Sequence, residues 1–192
     1  MNAVALRRLG WWLVTAGLMC AAVGVAVKQQ LPRLTGSAVG SASASERSEP
    51  CLPGVAVAIM KSPHLSVAAL EKVQYNSIPP TSGPHFAIPP TPGIYDTPLR
   101  AGSFVHAEEH GHVIITYSPS LPAAQVSTLK DIAKAHSADV LMTPYPPLTE
   151  GLALAAWGRL QRFSQVDRPG IERFIEALAG RYDHQWTAPP RC

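Results

Sequence analysis

Charge and cysteine are both scarce in this chain, and neither is concentrated. Charged residues make up 15% of the 192 residues, and no stretch carries five or six of one sign. Sixteen Lys and Arg against thirteen Asp and Glu leave a net charge of +3, spread thinly enough to argue against nucleic acid as a partner. The three cysteines, Cys20, Cys51 and Cys192, form no C-x-x-C pair, which excludes thioredoxin-type dithiol chemistry. The shortage of thiolates also argues against iron–sulfur clusters. What the chain has in quantity is proline, 19 residues, so turns and extended loops must account for much of the backbone. The length leaves room for one domain and some accessory segments.

Arg7 and Arg8 precede an uncharged run of 19 residues, Leu9 to Val27, closed by Lys28. A helix needs about 20 apolar residues to cross a bilayer, so residues 9–27 read as a single membrane span with the lipid bilayer as partner. Trp11 and Trp12 suit the headgroup level, and the arginine pair fits an N-inside orientation. A cleaved signal peptide is the competing reading, with Gly24-Val25-Ala26 as a small-x-small site. Cys20 follows Met19 where lipidation wants a small residue. Anchor or signal, the remainder is expected outside the cytoplasm, periplasmic or extracellular. Residues 29–49, rich in Ser, Ala and Gly, bury too little to fold and read as a flexible linker. The globular domain is expected over 50–192. Cys51 and Cys192 bracket it, and an oxidising compartment would permit a disulfide between them.

Within the domain, Val55 to Met60 and Val73 to Tyr75 are short extended pieces. Ile78 to Pro98 is too proline-rich for regular helix and reads as a long ordered loop of the functional kind. His112 to Tyr117 is the best strand. An amphipathic helix follows from Pro122 to about His136, with Val126, Leu129, Ile132 and Ala133 at helical spacing. Val140 to Met142 and Leu152 to Trp157 are further strands, and a helix starts at Pro169 and stops at Gly180. This order predicts an α/β or α+β fold, a small mixed sheet with flanking helices, which resembles the second half of a thioredoxin-like fold in shape only.

Three of the seven histidines fall in Val105 to Val113 (VHAEEHGHV). On a helical turn, His106 and His110 share a face with Glu109 beside them, two imidazoles and a carboxylate for one cation. If a strand begins instead at His110, then His110 and His112 point to one side. The string also satisfies H-x-x-E-H, the inverted zinc-peptidase pattern, although Gly111 and the β-branched run cut any helix short. His85, in a proline-stiffened loop, and His64 are spaced to supply further ligands. His136 is assigned to a helix end, and His184 to the tail.

Tyr75 to Phe86 (YNSIPPTSGPHF), Gly93-Ile94-Tyr95-Asp96 and Val105 to Tyr117 (VHAEEHGHVIITY) resemble the bacterial domain-of-unknown-function family numbered 3105. That family is marked by P-P-T-S-G-P-H and H-x-x-E-H-G strings, which map onto His85, His106, Glu109 and His110. His64 matches a less firm upstream histidine, and the likeness continues through Ala156-Trp157-Gly158-Arg159 to the last helix. The resemblance implies one N-terminal membrane span and histidines that act together, and it names no reaction. His112 departs from the small or apolar residue usual at its position, as an extra ligand or a bystander.

The resulting expectation is an exported metal-binding domain using His64, His85, His106, His110 and Glu109. Its cofactor is a divalent metal ion, copper favoured over zinc by the Irving–Williams order, and an envelope protein is a candidate partner. Met60 and Met142 would add thioether ligands only if folding brought them close. Two other classes stand beside it: a zinc-dependent hydrolase with Glu109 as general base, and a metal-free cell-envelope interaction module.

Overall fold

The structure, a computed structural model, describes residues 52–186. The expected span at 9–27, the linker at 29–49 and the Cys51–Cys192 disulfide lie outside the described residues. Among the described residues no helix is long and apolar enough to cross a membrane.

The elements run β1 (Val55–Ala56), α1 (Val67–Leu70), β2 (Gly93–Ile94), α2 (Ala101–Glu109), β3 (Val113–Tyr117), α3 (Ala123–Ala135), β4 (Val140–Pro144), β5 (Leu152–Ala156), β6 (Arg159–Phe163) and α4 (Arg168–Leu178). They build one six-stranded mixed sheet in the order β1-β6-β5-β3-β4-β2. β3 and β4 are parallel, joined by α3 as crossover, because parallel neighbours cannot be linked by a tight turn. β4 also pairs in parallel with β2, whereas β5 is antiparallel to both β3 and β6.

β3, β4 and β5 are buried at every residue, since the sheet is covered on both faces. Val113, Ile115, Val140, Met142, Leu152 and Leu154 share one core with Leu129 and Ile132 of α3 and Phe174 and Ile175 of α4. The alternate residues Ile114, Leu141, Ala153 and Ala155 share the other with Phe104, Val105 and Ala107 of α2 and with Trp157. A strand that changes face at each residue thus serves two cores at once. Met142 lies in the first core, away from α2, and so takes no part in a site built on that helix.

Several elements depart from the sequence reading, among them α1 and the short β2 inside the proline-rich stretch, neither of which it expects. The expected strand at His112 starts one residue later, at Val113, because His112 closes the end of α2. β6 was not expected, since Arg159, Gln161 and Arg162 interrupt any apolar pattern; it exists because the Trp157-Gly158 turn folds it back onto β5. α2 is a nine-residue helix with Gly102 and residues 104–109 all buried, so its apolar residues are not confined to one face and give no amphipathic period.

Candidate metal centre

Two segments meet at α2. The first is the proline-rich stretch around His85, held by bonds from several directions. The Thr81 carbonyl accepts from Gly158 N–H at 2.9 Å in the β5–β6 turn, Ser82 Oγ accepts from Met60 N–H at 3.0 Å, and Tyr75 donates to the Pro84 carbonyl at 2.7 Å. Thr81, Ser82 and His85 are fully buried, so this loop is part of the interior. Gly83 at φ +124° permits the turn; a Cβ there would press on the Tyr75 ring at 3.2 Å and Met60 Sδ at 3.3 Å. The backbone of His85 pairs with residues on either side of His64, donating to the Pro63 carbonyl at 3.1 Å and accepting from Leu65 N–H at 2.9 Å, which sets His64 and His85 side by side.

The second segment is α2 itself. Its end is a Schellman turn, with His112 N–H bonded to the Ala107 carbonyl and Gly111 N–H to the Glu108 carbonyl, both at 3.0 Å. Phe86 docks the loop onto the helix twice. Its N–H donates to the Gly102 carbonyl at 3.0 Å, and its carbonyl accepts from His106 Nδ1 at 2.6 Å.

The tautomers follow from these bonds. A carbonyl only accepts, so His106 Nδ1 carries its proton towards Phe86, and His85 Nδ1 carries its proton towards Gly83 O at 2.8 Å. In its neutral form each ring then presents its Nε2 lone pair to the space between loop and helix. His85 Nε2 lies 3.2 Å from Glu109 Oε2 without making a hydrogen bond to it, so an imidazole nitrogen and a carboxylate oxygen stand face to face. Burial holds the His106 imidazole below the ordinary histidine range, with the imidazoles of His85, His110 and His64 adding to the effect and the Phe86 carbonyl opposing it. A neutral imidazole is the form that binds a metal.

His64, His85, His106 and Glu109 each offer one donor atom, all within 4.8 Å of one another. His64 is exposed and the other three are buried. A divalent ion bonded at about 2.0–2.2 Å holds opposite donors no more than about 4.4 Å apart, so side-chain rotation by a few tenths of an ångström would close the set. Both buried imidazoles have the backbone-carbonyl bond that orients histidine ligands in metal sites.

Four of the five residues singled out in the sequence are thus brought together, and the fifth, His110, stands beside them. Its Nε2 lies 3.0 Å from His106 Nε2, but it groups instead with Asp183 and His184. His184, assigned to the tail by sequence reasoning, packs its ring 4.6 Å from that of His110; its distance of more than seventy residues along the chain from His110 concealed the contact. His136 caps the end of α3 as expected. His112 is half-buried, bonds to the backbone of Asp139 and belongs to neither group of donors. Met60 packs on the Gly83 turn.

No curated protein matches this chain, and no solved structure does. A family model described as "Protein of unknown function (DUF3105)" matches residues 66–190, a range that takes in every residue of the two groups except His64. With more than half of its length matched, the chain belongs to the DUF3105 family.

Proposed function

We propose that this protein is an exported, membrane-tethered metal-binding protein that holds one divalent ion through His64, His85, His106 and Glu109. The observation that carries the reading is the pair of buried Nε2 lone pairs on His85 and His106, each fixed by an Nδ1 bond to a carbonyl and directed, with a carboxylate, at one space. Three imidazoles, one carboxylate and no thiolate favour copper(II) over zinc. The apolar run at residues 9–27 supports the membrane tether. The strand order β4-β3-β5-β6, with α3 and α4 packed into one core, supports a thioredoxin-like shape without its redox pair.

The hydrolase alternative has one observation in its favour, the exposed His64, which leaves the group open to water on one side. Against it, Glu109 touches His85 Nε2 and so stands among the donors, where a general base would have to be free to take a proton. Elemental analysis and copper and zinc titration of the purified full chain test the proposal, beside a His85→Ala, His106→Ala variant. One tightly held copper per chain, absent from a variant with an unchanged near-UV circular dichroism spectrum, is the expected result. No metal at micromolar concentration in either protein would leave the metal-free interaction module as the reading.

A further inference from the structure

His110 touches both groups of donors. Its Nε2 faces His106 Nε2 at 3.0 Å, and its Nδ1 faces Asp183 Oδ1 at 3.5 Å. Asp183 in turn accepts from His184 Nδ1 at 2.8 Å, which leaves His184 Nε2 with its lone pair. Because His106 Nε2 is already an acceptor, a neutral His110 ring can satisfy one end only. If it donates through Nε2 to His106, its Nδ1 lone pair faces a carboxylate; if it donates through Nδ1, two Nε2 lone pairs face each other. A cation at His110, a second proton on the ring or a metal ion, removes the conflict.

The tail that carries Asp183 and His184 is built into place. His184 takes φ +58°, a left-handed conformation uncommon for a residue other than Gly, Asn or Asp. It is held there by its N–H to the Glu109 carbonyl at 2.9 Å and by Tyr182 Oη donating to its own carbonyl at 3.1 Å. The Tyr182 ring stacks on Trp157 with centroids 4.9 Å apart. An exposed ion pair alone contributes little to stability, and Asp183 is 67% exposed, so the pairing itself does not account for the conformation. A cleft of about 480 Å³ lies between the Pro89–Pro92 segment and His110, His112 and Asp183, giving this group an opening to solvent.

Resting on the metal reading of the buried group, we infer that His110, Asp183 and His184 form a second, solvent-facing position for a divalent cation. The ion enters through the cleft and passes inward by ligand exchange, from His184 and Asp183 to His110 and from His110 to His106, with no change of oxidation state. Copper(II) is the probe. Titration of the full chain, followed by calorimetry and electron paramagnetic resonance, is expected to show two equivalents per chain with distinct spectra.

Asp183→Asn with His184→Asn, in which asparagine tolerates the left-handed backbone, should remove the weaker equivalent, keep the tighter one, and slow its loading at least tenfold. His85→Ala with Glu109→Gln should do the reverse, abolishing the tighter equivalent and keeping the weaker. A wild-type chain that binds one copper, with affinity and loading rate unaltered by the tail substitutions, would overturn this inference and leave the buried site standing. A chain that binds none would remove both.

Discussion

Glu108 is the residue whose environment departs furthest from its ordinary one. Its carboxyl is fully buried, neither oxygen has a hydrogen-bond partner, and burial pushes its pKa well above the usual glutamate value. Its neighbour Glu109 faces the imidazoles, so one residue of helical rotation separates a donor in the site from an acid in the core. Burial, with Tyr145 and then Glu108 adding to it, pushes the Tyr75 hydroxyl up to about 12, and burial, helped by Glu108, pushes that of Tyr145 upward. In the folded metal-free chain Glu108 stays protonated at pH values where the unfolded chain has released that proton. Folding therefore takes up a proton, and stability falls as pH rises from the ordinary glutamate pKa towards the raised one, by roughly 1 kcal/mol per pH unit. Glu108→Gln keeps the shape and removes the charge, so its urea-unfolding free energy should decline less between pH 5 and 8 than that of the wild type. Equal slopes for the two proteins would mean that Glu108 finds a partner on folding.

At the scale of elements, the junction between α2 and β3 sets the site. Gly111 sits at φ +85°, and a Cβ there would run into the Tyr182 carbonyl oxygen; its own carbonyl accepts from Gly180 N–H at 2.9 Å. One glycine therefore ends α2, starts β3 and lets the C-terminal turn approach the histidines. Gly111→Ala should cost about 1–3 kcal/mol, read as a lower midpoint in urea, and should weaken metal binding because the tail is displaced. An unchanged midpoint would mean that the turn shifts without cost. The β5–β6 turn plays the corresponding part for the loop. Gly158 holds Thr81 through its N–H and Val57 through its carbonyl, both at 2.9 Å, and Arg159, buried, donates to the carbonyls of Leu52, Pro53 and Gly54. A hairpin far along the chain thus fixes the segment that presents His85.

For the whole molecule, a metal bound to the native state alone stabilises it by mass action, about 2.7 kcal/mol at one hundred times Kd. For a domain of this size that corresponds to a rise in Tm of about 5–10 °C. Copper is expected to raise the Tm of the wild-type chain by this amount and to leave the His85→Ala, His106→Ala variant unmoved. An equal rise in both would place the binding elsewhere. The ion would join the loop to α2, and through them the β5–β6 hairpin to the far side of the sheet, so its effect should extend to amide exchange in β5 and β6.

Much of this was legible in the chain itself. The β-branched run at β3, the helical spacing of α3 and α4 and the proline punctuation of the loop are local signals, and each produced its element. The i, i+3, i+4 spacing of His106, Glu109 and His110 put three polar side chains on one face of α2 before any tertiary contact was considered, and the family strings added His85 and His64. Other features depended on contacts between distant segments. β6 forms because a turn returns it to β5, and α2 is buried along most of its length, so apolar residues are not confined to one side of it and no amphipathic pattern marked its extent. The division of the histidines into a buried group and an exposed one rests on the positive-φ turn at His184 reaching back to the Glu109 carbonyl. Residue type and spacing determined which side chains were able to hold a metal; only packing between remote segments decided which lone pairs face one another.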